Sequence, residues 1–595
     1  MTLSSSPSRV SLLLAASSFL FIAGACATGD PSKSNEPGSS TGGSGTGTGG
    51  TGGTGGTGGD GSGGSSGSAT GGGANDDSPL LPARIRRLTN AEYDASVRAL
   101  LGTSKRPSVE FSFPPDSRQG PTNAPAGAAF SRNDAQRVDP VLAGKLDTAA
   151  LALVAEARGS GKLAELSPCS DTSAAGAKAC ATTFVRTFGE RAYRRPLTDE
   201  EVTHLVTRTG SAYHVGADGH TYEDGVDLLT RVLLQTPAFL YVTELGTGEP
   251  RATFELTPNE VATSLAYLLT SAPPDVALLA ATAAGTLATP EGREAEARRL
   301  LGTPAGKERL VHVVREWLGI EDVARREKAQ SVYPEFSSAS QAMENESRAF
   351  IEEVLFHSSG SLAELLTADW TIAEAPLSAV YGLNPAGAGQ RTSLAGVGRR
   401  GILNQGAFLS VFATNNGSHP VFRGVAVMRR IACLDTPDPG ALGIVVTFPA
   451  PDTTKTTRVR FEQHAFDEKC TGCHATIDPF GFALENFDGM GKLRTTENGL
   501  PIDTSVTIDE GSDLDGTYAD SAELVSALAR STSVKACLAR QLFRSSAARS
   551  DASVRGAEQA FVELWQTLPA EQQDRLTDVL VAYVKSPRFV ERRAP

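Results

Sequence analysis

Between Gly38 and Gly73 the chain holds 20 of its 61 glycines, interleaved with serine and threonine. Such a run has almost no apolar side chain to bury and nothing to offset its ordering entropy, so it cannot fold. It divides the molecule: whatever folds comes after about Ser78, leaving about 510 of the 595 residues, enough for roughly three or four domains of ordinary size. Outside the tract glycine returns to ordinary usage. The 55 Lys plus Arg face 68 Asp plus Glu, a net charge of −13, so there is no broad basic field for DNA or RNA, and a nucleic-acid partner is not expected. Aromatic residues are only 6 %, and alanine and leucine dominate the apolar share, which favours helices over a sandwich or barrel.

Arg9 precedes the apolar run VSLLLAASSFLFIAGA, which reads as a signal peptide over residues 1–25 and is too short for a stable membrane span. Ala23-Gly24-Ala25 then closes on Cys26, a pattern similar to the bacterial lipobox, with lipid on Cys26 as the expected outcome and ordinary cleavage with a free thiol as the alternative. Residues 26–82 would then be a lipidated cysteine plus a flexible coil, whose about 55 residues span roughly 40 Å. The expected location is extracytoplasmic, anchored through lipid to the bacterial cell envelope.

Past the tether, Thr89-Asn90-Ala91-Glu92, Thr198-Asp199-Glu200-Glu201 and Thr257-Pro258-Asn259-Glu260 are capping boxes, each opening an amphipathic helix. Tyr93, Val97, Leu100 and Leu101 fall on one helical face before Gly102, as do Val261, Leu265, Leu268 and Leu269 before Pro273-Pro274. Further helical stretches are expected near 226–241, 291–301, 307–318, 342–356, 399–412, 421–431, 522–543 and 554–568. Period-two alternation is short, as over Pro501–Ile508, so the fold class is mainly α with minor β hairpins. The expected modules are helical at 83–160, 161–245, 246–385 and 516–595, with a further module at 386–515 set apart by the motif it contains.

Cys470-Thr471-Gly472-Cys473-His474 is the c-type haem attachment motif: two thiols three residues apart reach the two vinyl groups, and the following histidine is the proximal iron ligand. A zinc site using His464, Cys470 and Cys473 and a local redox disulfide are the competing readings. Ile477 to Phe482 reads as a turn, with Asp478 bonding backbone two residues on and Gly481 supplying any positive φ. Phe480, Phe482, Leu484 and Phe487 are expected either against porphyrin faces or in ordinary core. Asp478, Glu485 and Asp488 read as turn, cap or propionate-region groups. For the second axial position Met490 is placed first, with His464 and His419 as the other candidates and an open site as the remaining case. Asp509, Asp513 and Asp515 suggest a solvated turn more than a calcium loop. With Cys26 on lipid and Cys470 and Cys473 on haem, Cys169, Cys180, Cys433 and Cys537 remain; in an oxidising compartment the shortest loop pairs Cys169 with Cys180 and leaves Cys433 to Cys537, unless the latter two are buried free thiols.

The run CTGCHATIDPFGFALENFDGMGKLR, Cys470 to Arg494, resembles the C-terminal cytochrome-like module of large secreted planctomycete and myxobacterial proteins built from a series of domains of unknown function. RRLTNAEYDASVRALLG from Arg86 resembles that family's first module, and FGERAYRRPLTDEEV from Phe188 its second. The stretch from Phe239 through Trp317 and Trp370 to Tyr381 is similar to the central module, the segment ending at Gly424 to the start of the haem-bearing one, and Ser521–Val590 to the closing one. The single CxxCH departs from relatives with an additional N-terminal cytochrome module and argues against multi-haem conduction. The expected function is a lipoprotein with one haem c that transfers electrons to a redox partner outside the cytoplasm. A haem-dependent oxidase or peroxidase is the enzyme alternative, and a non-catalytic scaffold or carbohydrate-binding surface protein is the third.

Overall fold

Each of the three Thr-x-x-Glu boxes closes in both directions. At the first, Thr89 Oγ1 accepts from the Glu92 N–H at 3.2 Å while the Glu92 carboxylate accepts from the Thr89 N–H at 2.9 Å. The same reciprocal pairs start the helices Asp199–His204 and Pro258–Thr270. A fourth box, Thr221 with Asp224, starts Tyr222–Leu233; the shorter acid at the third helical position hid it from the Glu pattern.

The computed structural model describes residues 77–117, 130–131, 137–210, 220–248, 251–437, 442–443, 447–464, 468–547 and 554–594. The signal peptide, Cys26 and the glycine tract lie outside these. Among the described residues the chain is mainly helical, its strands confined to five antiparallel pairs, and no helix is long and apolar enough to cross a membrane.

Two apolar cores organise the helices. The first joins Asn90–Leu101, Pro140–Gly159, Ala174–Tyr193 and Tyr222–Leu233 around Val97, Leu153, Phe184, Phe188 and Leu229. The second runs from Leu256 to Phe589, joined by Leu81 and Phe130, and includes Leu265, Trp317, Phe350, Phe408, Phe480, Leu538 and Phe561, so the central, CxxCH-bearing and closing segments share one interior. A small cluster of Leu88, Val242 and Tyr267 lies at the seam.

Several expected boundaries shift. The helix expected over 399–412 is a 3-10 turn, Ile402–Asn404, then Gly406–Val411. Gly401 has φ 54°, and a Cβ there would collide with the Leu366 carbonyl, so backbone crowding breaks the helix. The stretch 522–543 is two helices, Ser521–Arg530 and Thr532–Ala547. They part at extended Ser531, whose hydroxyl donates to Asp513 at 2.8 Å. The helix expected over 226–241 breaks after Leu233, a short helix Pro237–Leu240 follows, and Tyr241–Glu244 is a strand antiparallel to Arg84–Arg87. Glu591–Arg593 pairs with Thr253–Glu255, and the Ala83 N–H donates to the Arg593 carbonyl at 2.8 Å, so the two ends of the folded body meet. Around that junction Glu244, 2 % exposed, accepts from Arg592 at 2.6 Å and from Arg84 at 3.0 Å. Burial opposes its charge, yet the two guanidinium groups overcome this and hold its carboxyl well below the usual range.

Candidate haem attachment site

Cys470, Cys473 and His474 sit on one helix, Glu468–Phe482. Spacing of three and four places all three on one face. Both thiols are free and half-buried, Cys473 against the larger core.

The turn expected at Ile477–Phe482 is absent, because the helix continues through Pro479 to Phe482. Pro479 removes the N–H that would reach the carbonyl of Ala475, a residue on the exposed side of the helix. Asp478 does not bond backbone two residues on. Its carboxylate takes the Nδ1–H of His474 at 2.9 Å, one helical turn back, with both side chains largely buried. A carboxylate oxygen accepts, so a neutral ring carries its proton on Nδ1 and its lone pair on Nε2, the tautomer and orientation that a metal-ligating histidine needs. The spacing of four between His474 and Asp478 was the available signal, masked by the turn-like Asp-Pro.

Gly481 serves space and not a positive φ. A Cβ there would strike the Pro420 carbonyl, and one on Gly424 would strike that of Ile477. These two glycines let the helix Pro420–Arg430 lie directly against the CxxCH helix, backbone to backbone. Immediately beyond Pro420–Arg430, Cys433 is joined to Cys537, Cα to Cα 5.4 Å, fastening this layer to Thr532–Ala547. Cys169 and Cys180 are likewise joined, Cα to Cα 5.6 Å.

Phe480, Phe482, Leu484 and Phe487 all lie in the protein's own core. The Arg399 guanidinium stands 4.9 Å over the Phe487 ring and Arg458 5.1 Å over Phe482. Beneath them Arg423, fully enclosed, donates to the carbonyls of Leu484 at 3.0 Å and Phe487 at 2.7 Å and pairs with Glu485 at 3.5 Å. Burial raises the Glu485 carboxyl, against the pull of Arg423, Arg494 and the Ser418 hydroxyl. Glu485 is therefore a structural ion-pair residue. Asp488 is the turn residue expected, accepting from the N–H groups of Met490 and Lys492 at 2.9 and 2.8 Å.

Met490 is 1 % exposed and belongs to the core. Its turn is pinned by the Gly489 N–H to the Tyr333 hydroxyl at 3.0 Å, and Gly491 lies against Gly406 and Leu409. His419 caps Pro420–Arg430, its Nδ1 accepting from the Phe422 N–H at 3.2 Å. The ring stacks on Phe422 at 3.7 Å, and burial with Arg423 nearby lowers its pKa to about 4. Because Nδ1 accepts, Nε2 carries the proton, so this histidine is a helix cap and not poised as an iron ligand. The side chain of His464 lies outside the described residues. Among the described residues no three His, Cys, Asp or Glu side chains gather as a metal site. Asp513 and Asp515 bond neighbouring hydroxyl and N–H groups, as a solvated turn does.

Four protein families match the chain in series, all described as proteins of unknown function. They are PSD3 (DUF1587) over 86–159, PSD5 (DUF1595) over 180–244, PSD4 (DUF1592) over 256–383 and PSCyt3 (DUF1588) over 399–497. No curated protein and no solved structure matches it. The folded chain is thus a series of modules of unknown function, and the fourth of them, whose short name hints at a cytochrome, contains the CxxCH helix and the turn that follows it.

Proposed function

We propose that this protein carries one haem c, bound covalently through Cys470 and Cys473 with His474 as axial ligand, and transfers electrons outside the cytoplasm while anchored to the cell envelope by lipid on Cys26. The observation that supports this most is the His474–Asp478 pair, which orients the imidazole and fixes its tautomer beside two free thiols at the required spacing. Bound there, the haem would supply one-electron iron chemistry. The chain's own contribution is to hold the thiols on one helical face, to keep the proton on His474 Nδ1, and to fix that helix on Pro420–Arg430 through Gly424 and Gly481.

The second axial position separates carrier from enzyme. Ligation by Met490, the sequence-based choice, requires the Asp488–Gly491 turn to leave its contacts with Tyr333 and Gly406. The enclosure of Met490 therefore favours a second reading, an open position and a haem-dependent oxidase or peroxidase. The test is a haem-stained denaturing gel of protein made with the c-type maturation machinery and split into membrane and soluble fractions. Stain in the membrane fraction of wild type is expected. It should be lost in the Cys470→Ala, Cys473→Ala double variant and should move to the soluble fraction in Cys26→Ser. Unstained wild type would overturn the haem and leave a scaffold role. Stained protein whose ferrous form binds carbon monoxide readily, unaltered by Met490→Ala, would decide for the open site.

A further inference from the structure

A polar cleft lies away from the CxxCH helix, at the seam where the first strand, the central helices and the C-terminal segment meet. It is a small cleft open to solvent, with a cavity volume of about 50 Å³. Its charged lining comprises Arg84, Arg86, Arg309 and Arg592 with Glu92, Glu244 and Glu316, beside His312.

The charges do not cancel. Arg86 pairs with Glu92 at 2.6 Å, and Arg84 and Arg592 share Glu244. Glu316 accepts from the Ser131 N–H at 2.6 Å and lies 3.8 Å from His312. Arg309 is left over: its Nε donates to the Leu268 carbonyl at 3.4 Å, and among the described residues its two terminal nitrogens have no partner. Four guanidinium groups face three carboxylates, an excess of one positive charge before His312 is counted, and Arg309 is the guanidinium without an ion pair. Its side chain is half-buried in the cleft, and burial lowers its pKa, opposed by Glu316 and Glu92 and reinforced by Arg86. Ser545, 8 % exposed, also lines the cleft, and its hydroxyl is without a hydrogen-bond partner among the described residues. Tyr267, Phe130 and Tyr583 supply apolar walls.

We propose that this cleft binds a small hydroxylated monocarboxylate, its carboxylate held in bidentate fashion by Arg309 and a hydroxyl by Ser545. A planar guanidinium with two free nitrogens matches a carboxylate's two oxygens. One excess charge balances a monoanion and leaves a phosphate dianion uncompensated. The proposal is independent of haem at the CxxCH helix, and nothing in it requires that helix to be loaded.

Isothermal titration of the full-length protein with D-glucuronate, D-glucose and inorganic phosphate tests it. Saturable binding of glucuronate is expected, with glucose inert and phosphate at least tenfold weaker. Arg309→Gln should weaken glucuronate at least tenfold, Arg309→Lys less, since it keeps the charge and loses the fork, and Ser545→Ala by severalfold. Thermal unfolding of the variants checks that each is folded, and Arg309→Lys keeps the question answerable if Arg309→Gln is not. No saturable binding of glucuronate to wild type, or equal affinity in a folded Arg309 variant, would overturn the site. Phosphate binding more tightly than glucuronate would overturn the carboxylate class.

Discussion

Glu346 shows how one side chain can tie a stability term to pH. It is fully buried on the helix Phe336–His357, accepting from the Thr371 hydroxyl at 2.7 Å and the Tyr381 hydroxyl at 2.5 Å, and burial lifts its pKa from 4.5 to about 7. The folded state thus holds a proton that the unfolded chain releases near 4.5. Stability is highest below that value and falls as pH rises through 4.5 to 7. Glu346→Gln cannot lose this proton, so the wild type should lose ground against the variant between pH 5 and pH 8, by about 3 kcal/mol at most. Urea midpoints at the two pH values measure it, and a constant gap would mean that Glu346 is ionised throughout. His419 shows the opposite sign on the same reasoning: its pKa, lowered to about 4, costs stability as pH falls from 6.5 towards 4. Neither group was legible in the sequence, because burial of a single carboxyl or imidazole is decided by chain segments far away.

At the scale of elements, legibility followed locality. The Thr-x-x-Glu boxes form because all their partners lie within four residues. Pro140–Gly159 and Ala174–Tyr193 were not expected, although Asp139 caps the first with its side chain on the Leu142 N–H and Pro140 follows at the first helical position. Their alanine-rich faces carry a weak apolar stripe, and burial comes from packing on each other's neighbours. In the CxxCH helix the motif itself is legible, whereas Ile477–Phe482 reads as a turn because proline and glycine are turn formers locally and are close-packing residues here. That correction has a test. Gly481→Ala should lower stability by about 1–3 kcal/mol or more through its collision with Pro420. Gly472→Ala, on the same helix with open space around it, should be neutral or gain about 0.5–1 kcal/mol from helix propensity. Thermal melts of the pair distinguish crowding from propensity, and equal effects would refute the close approach.

For the whole molecule, the decisive contacts join residues hundreds of positions apart. The cleft draws residues from Leu81 to Arg592, so no window of sequence contained it. Its keystone is Glu244, and Glu244→Ala would leave Arg84 and Arg592 buried without their partner. The expected loss is about 3–5 kcal/mol, read as a lowered denaturant midpoint. A shift below about 1 kcal/mol would show that the two arginines find water instead.

The meeting of the chain's ends also sets an order of events in time. Leu81 accepts from the Arg593 N–H and Glu244 waits for Arg592, so the first folded segment to be synthesised is the last to be completed. At about 5–20 residues per second, roughly 25–100 s separate the emergence of the two partners. Throughout that interval the strand Thr253–Glu255 and the segment Leu81–Ala83 lack their partner and Glu244 holds only Arg84 of its two guanidinium groups, and the junction closes only after Arg592 and Arg593 have left the ribosome.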